Sequence, residues 1–296
     1  MFTARILLCV CLAVTAAASM MAQDPLYTLK VDVSMISVDV SVFNEKGTPV
    51  TDLSKEEFQV YEDGRPQDIQ TFASSKDPYN VLLVIDRSGS MTSQFSFLIQ
   101  AVNRFMTNLR AQDQFALATF DASVHQLIKW RSVQTGPRQT VKLEAGGDTN
   151  FYAALEWAAR ELEKIRGRKA ALIFSDGEDY RIYDPMIDAK AFRKALERVR
   201  QAKAPFNFVG LGADPERGGD HIKRLAEVSG GQAYFPENIE EVVSLYDEIS
   251  RKLGIAYTIG YSSDRPMRDG THRTIRIEVP GKEYRLSQSR VSYFAN

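Results

Sequence analysis

A carboxylate and two hydroxyls stand at two-residue spacing in Asp86-Arg87-Ser88-Gly89-Ser90, directly after the apolar run Val81-Leu82-Leu83-Val84-Ile85. Three oxygen-bearing side chains so placed offer hard donors to a small divalent cation. Mg²⁺ takes such oxygens in a tight octahedron and gives up its waters reluctantly. One carboxylate and two neutral hydroxyls leave residual positive charge on a divalent ion, which an acidic group from outside would satisfy. The same serines also suit the ordinary task of capping a following helix. Two later segments favour the metal. Gly146-Gly147-Asp148-Thr149-Asn150 precedes a helical pattern and offers the Thr149 hydroxyl, while Ser175-Asp176-Gly177 closes a second apolar run and offers a further carboxylate.

These residues need elements to place them. The run before Asp86 is rich in β-branched residues and reads as a buried parallel strand. Residues 94–109 carry Phe97, Leu98, Ala101, Val102, Phe105, Met106 and Leu109 at helical spacing. The order is strand, oxygen-rich loop, helix, and open α/β sheets bind ligands at the carboxyl ends of their strands. If the two apolar strands are neighbours, Asp86 and Asp176 emerge side by side and Thr149 approaches from the loop between. Residues 80–254 alternate strand and helix throughout, which predicts an α/β fold: a doubly wound, mostly parallel sheet with helices on both faces. Strands are expected at 114–120, 169–175, 206–211 and 232–235, with 124–130 as an antiparallel edge. Helices are expected at 151–165, 187–203, 221–228 and 239–253, the second of these presenting a basic, solvated face.

The flanks, 27–78 and 255–296, read as β structure. Leu29, Val31, Val33 and Met35, then Val38, Val40 and Val42, alternate with polar residues, with a change of register near Ile36-Ser37 that marks a bulge or bend. Residues 58–61 form a further strand closed by the hairpin turn Glu62-Asp63-Gly64, followed by a strand at 69–72. At the other end, 256–261, 273–279 and 284–286 have strand character. Each flank is too small for a sandwich, which takes about seven strands. The expectation is one small all-β sandwich built from both ends, with the α/β domain inserted.

The 296 residues carry a formal net charge of −1, with 44% hydrophobic and 25% charged residues. No basic run or positive excess suits nucleic acid as a partner. Residues 1–22 read as a signal peptide, with Arg5, an apolar stretch over 6–18 and a small residue at Ala22. A retained anchor is the competing reading, but the stretch falls short of the about 20 residues a membrane span needs. Cys9 and Cys11, the only cysteines, lie inside this segment, so the mature chain is expected to lack disulfides and a stable membrane span. Its expected destination is periplasmic or secreted.

Asp86-x-Ser88-x-Ser90, Thr149 after a glycine pair, and Asp176-Gly177 after an apolar strand resemble the metal-ion-dependent adhesion site of von Willebrand factor type A domains. The resemblance covers about 80–254. The flanks resemble exported bacterial proteins that carry a related domain. The resemblance implies that Asp86, Ser88, Ser90, Thr149 and Asp176 hold Mg²⁺ or Mn²⁺, directly or through water. It also implies that a protein partner presents a Glu or Asp to the open position. Ser175 stands where the family often has threonine, and Asp148 where glycine is frequent. Binding is expected rather than catalysis, because His125, His221 and His272 form no cluster and Ser88 stands where phosphoryl transfer would want an acid. A metal-assisted hydrolase on the same site is the alternative, as is an envelope scaffold with a structural metal. Gly210-x-Gly212 lacks the full dinucleotide glycine pattern, with Pro215 where it would continue. Glu178, Asp179 and Asp184, with Arg181 and Tyr183, either line the partner surface or form a solvated loop. Trp130 and Trp157 read as packing residues.

Overall fold

The computed structural model describes residues 35–93, 95–133, 146–179, 185–210, 218–237, 241, 245, 255–266 and 269–295. The signal segment, the alternating residues before Met35, the motif beyond Gly210 and all but a few residues of the expected last helix lie outside them.

The organising strand is β5, Tyr79–Asp86, with every residue buried. It accepts a parallel neighbour on each side: β6, Gln114–Phe120, and β8, Arg168–Ser175. Outside β8 come β9, Phe206–Gly210, and β10, Ala233–Tyr234, while β7, Val124–Ser132, closes the other edge antiparallel to β6. Alternate side chains of β5 enter different cores, as strand geometry requires. Val81, Leu83 and Ile85 pack with Phe95, Leu98, Val102 and Phe105 of helix α1, Phe95–Asn108. Leu82 and Val84 pack on the opposite face with helices α2, Phe151–Glu163, α3, Pro185–Gln201, and α4, Gly218–Ser229. The sheet is thus covered on both faces, and its strand order predicts ligand binding at the ends of β5 and β8.

The flanks build two four-stranded antiparallel sheets. One has β1, Met35–Phe43, between β13, Arg285–Gln288, and β11, Tyr257–Ser262, with β4, Ile69–Ala73, at the edge. The other has β12, His272–Glu278, between β14, Ser292–Phe294, and β2, Gln59–Glu62, with β3, Arg65–Gln67, at the edge. Val38, Val40, Tyr257 and Ile259 of the first sheet share a core with Val60, Ile275 and Ile277 of the second. Both chain ends therefore complete one sandwich.

One expectation needs correcting. The pairing of β1 with β11 runs without a shift from Met35↔Ser262 to Val40↔Tyr257, so there is no bulge at Ile36-Ser37. Ile36, Val38, Val40 and Val42 simply share the buried face. The irregularity lies across the pair β11–β4, between Gly260 and Tyr261. There a Cβ on residue 260 would collide with Thr71 Oγ1, so any larger residue would force the Thr71 side chain to move.

Candidate metal centre

Asp86 ends β5, and β8 delivers Ser175 and Asp176 beside it through the parallel pairing Ile85↔Phe174. The Asp86 carboxylate is fully buried. Its Oδ1 accepts the Ser88 backbone N–H at 2.9 Å, which turns the chain sharply after the strand. Its Oδ2 accepts the Ser175 hydroxyl at 2.7 Å, and Ser175 Oγ in turn accepts the Gly177 N–H at 3.0 Å. Gly177 has φ +81°, which glycine adopts freely. Ser88 and Ser90 bring their hydroxyls together at 3.1 Å; Ser88 is buried and Ser90 exposed. Asp176 is nearly buried, and its Oδ1 accepts the Glu178 N–H at 3.2 Å.

The Thr149 loop is tied to this group through the backbone. Gly89 N–H donates to Gly147 O at 3.1 Å, and Gly146 N–H donates to Arg87 O at 2.7 Å. Thr149 follows two residues later and is buried, and its hydroxyl has no hydrogen-bond partner among the described residues. Such a group is costly unless something supplies the missing interaction. Asp86 carries a related burden. Burial raises its carboxyl to about 6, aided by the nearby Asp176 charge and only partly offset by hydrogen bonds from Ser88 and Ser175. A cation would relieve both the orphaned hydroxyl and the buried negative charge. The donor set of Asp86, Ser88, Ser90, Thr149 and Asp176 is all oxygen, which suits Mg²⁺ or Mn²⁺ over softer metals.

Sequence reasoning missed the groups that brace the loops. Ser175 was noted only as a variant position, yet it holds the Asp86 carboxylate. Asp121, just beyond β6, went unnoticed. Its Oδ2 accepts Arg87 Nε at 2.8 Å and Nη2 at 2.6 Å, and its Oδ1 accepts the Ser123 N–H at 2.9 Å. Burial alone would raise the Asp121 carboxyl, but Ser123, Arg87 and His125 outweigh it and hold it at about 2. The only sequence signal was a carboxylate directly after a strand parallel to β5.

The histidines make their contacts with other groups. His125 Nε2 lies 3.2 Å from Asp121 Oδ1, His221 stacks on Phe192 at 4.1 Å between ring centres, and His272 packs edge-on against Phe294. Asp179 accepts the Tyr152 N–H at 3.4 Å, which places the start of the acidic segment against α2. Arg181, Tyr183 and Asp184 lie outside the described residues.

A mostly parallel six-stranded sheet with helices on both faces matches an α/β domain of the von Willebrand factor type A kind. The family model described as von Willebrand factor type A domain matches residues 81–178, so this chain carries a von Willebrand factor type A domain. It is 27% identical over 201 residues to the inter-alpha-trypsin inhibitor heavy chain H2 of Sus scrofa, a match over 60% of this chain and 20% of that protein. Against the human inter-alpha-trypsin inhibitor heavy chain H4 the identity is 26% over 232 residues, or 70% of this chain and 24% of the other. The chain thus spans only a fifth to a quarter of the length of these curated relatives. Among solved structures, the von Willebrand factor type A protein from Catenulispora acidiphila superposes with a TM-score of 0.52 at 12% identity, covering 80% of this chain and 73% of that one. The PilB minor pilin from Streptococcus sanguinis gives 0.52 at 14%, covering 64% and 63%. Both show the shared fold.

Proposed function

We propose that this chain is an exported protein-binding module whose site holds Mg²⁺ or Mn²⁺ and takes a Glu or Asp carboxylate from a protein partner. The bound cation would supply the positive charge that the partner's acid needs. The observation that carries the reading is the buried Thr149 hydroxyl, without a hydrogen-bond partner among the described residues, on a loop fastened to the one bearing Asp86, Ser88 and Ser90. Domains of this family are generally protein-interaction modules. Within the chain, Asp86 and Asp176 supply negative charge, Ser88 and Thr149 supply buried hydroxyls, and Ser90 borders solvent. No described helix is long and apolar enough to cross a membrane, and export rests on the apolar stretch over 6–18.

The test uses surfaces coated with polyglutamate and polylysine. The protein in Mn²⁺ should bind polyglutamate, and should lose that binding in chelator and with Thr149→Ala. Equal binding in chelator, or a preference for polylysine, would contradict the reading. Turnover of p-nitrophenyl phosphate that depends on Asp86 would favour a hydrolase instead.

A further inference from the structure

We propose that Asp121 is a positioning residue for the candidate metal centre, fixing the Thr149 loop against the loop that carries Asp86, Ser88 and Ser90. The proposal rests on the metal-binding reading of that site. Several separate attachments meet at this one residue. The Asp121 carboxylate holds Arg87, which lies inside the Asp86–Ser90 motif, through two hydrogen bonds of 2.8 and 2.6 Å to the same oxygen. The Asp121 backbone carbonyl accepts the Asn150 N–H at 2.8 Å, one residue beyond Thr149. Gly147 lies beside the Asp121 side chain, where a Cβ would make ordinary van der Waals contact at 3.4 Å, and its φ of +101° disfavours most other residues.

Arg87 continues the chain of contacts on its own backbone. Its N–H donates to Phe120 O at 2.9 Å and its carbonyl accepts Gly146 N–H at 2.7 Å. Asp121 is itself immobilised, since its Oδ1 accepts Ser123 N–H at 2.9 Å and sits 3.2 Å from His125 Nε2. The Asp121 side chain is 11% exposed and that of Arg87 31%, so the charge-assisted pair is half-buried. One carboxylate and its own carbonyl therefore set the gap between two metal loops without touching the cation. Groups that orient ligands in this way alter metal affinity by about 10–100-fold when removed. The side chain can also be tested separately from the carbonyl, because Asp121→Ala removes the carboxylate contacts to Arg87, Ser123 and His125 and keeps the carbonyl that accepts Asn150 N–H.

The experiment measures Mn²⁺ affinity by calorimetry and amide hydrogen exchange in chelator. It compares wild type with Asp121→Ala, Arg87→Ala and Arg87→Lys. Asp121→Ala should weaken Mn²⁺ by about tenfold or more and speed exchange at Gly89, Gly146 and Asn150, with β5 and β8 unchanged. Arg87→Ala should weaken Mn²⁺ similarly and Arg87→Lys less, because lysine keeps a cation for Asp121. Should Asp121→Ala prove too unstable, the two Arg87 variants carry the same comparison. Unchanged Mn²⁺ affinity in Asp121→Ala and Arg87→Ala, with wild type binding normally, would overturn the positioning role and leave the metal site standing. Failure of wild type to bind Mn²⁺ would instead overturn the metal reading and this inference with it.

Discussion

At the scale of single residues, the site carries two liabilities that a cation would remove. Thr149 buries a hydroxyl without a partner among the described residues, and such a group costs about 1–3 kcal/mol. Thr149→Val removes that cost at nearly constant shape. In chelator the variant should unfold at the same or a higher temperature than wild type, yet show little thermal response to Mn²⁺. Calorimetric melting reads both outcomes. Asp86 gives a pH signature. Its carboxyl is raised by burial from the ordinary value near 3.8 to about 6, so its contribution to stability is full below pH 4 and is lost as pH climbs through 6. Asp86→Asn removes this titration, so wild type should lose stability relative to the variant between about pH 4 and 6 in chelator. A flat difference would mean that Asp86 is not burdened as described. The Asp86-x-Ser88-x-Ser90 spacing is legible in the sequence because near neighbours in the chain stay neighbours on folding, while Thr149 and Asp176 stand out as the oxygen-bearing ends of a glycine pair and an apolar strand. Ser175 and Asp121 are not legible, since their roles arise only when separate strands meet: Ser175 reaches Asp86 across 89 positions of sequence.

At the scale of elements, the sandwich depends on a buried ion pair between strands from opposite ends of the chain. Glu62 on β2 and Arg273 on β12 are both fully buried and stand 3.4 Å apart. Glu62 also accepts the Tyr261 hydroxyl at 3.0 Å, the Tyr293 hydroxyl at 2.7 Å and the Ser263 hydroxyl at 2.6 Å. Burial pushes the Glu62 carboxyl up, but hydrogen bonds from Ser263, Tyr293, Arg265 and Tyr261 outweigh it and hold it below its ordinary range. Breaking a buried pair on one side costs about 3–5 kcal/mol when the remaining charge is stranded, but Glu62 keeps Arg265 Nη2 at 3.0 Å when Arg273 is removed. Arg273→Met should therefore lower urea stability by less, about 1–3 kcal/mol, and the further change Arg265→Met in the same chain should bring the loss to about 3–5 kcal/mol. A loss below about 1 kcal/mol, typical of exposed pairs, would show that the pair is solvated. The longer strands were legible from alternation. The short strands β3, Arg65–Gln67, and β14, Ser292–Phe294, were not: three residues carry almost no periodicity, and Pro66 argues against a strand. They form because the neighbouring strands offer them partners.

At the scale of the whole molecule, the inserted α/β domain and the sandwich share the chain between β4 and β5. Tyr79, the first residue of β5, donates its hydroxyl to Asp39 of β1 at 3.2 Å, while the guanidinium of buried Arg168 lies 4.6 Å from its ring centre. This junction sits at the amino end of the strand whose carboxyl end bears Asp86. The eight residues of β5 separate the two ends by about 23 Å. Because β1 and β12 contribute to one core, Val38 and Val40 should open together with Ile275 and Ile277 in native-state hydrogen exchange. Distinct opening energies for the two ends would argue for separate flanking units. The sandwich was legible only by elimination, since neither flank alone had enough strands. Its pairings, β1 between β11 and β13, depend on contacts that no local pattern encodes.

The central claim is that the three loops form a working cation site, and thermal unfolding tests it most directly. Wild type and Asp86→Ala are melted in chelator and in saturating Mg²⁺ or Mn²⁺. A ligand at about 100 times its dissociation constant stabilises by about 2.7 kcal/mol, which for a chain of this size corresponds to a rise of about 5–10 °C. The expected result is such a rise in wild type and none in Asp86→Ala. Equal melting of wild type with and without the cation would contradict the claim.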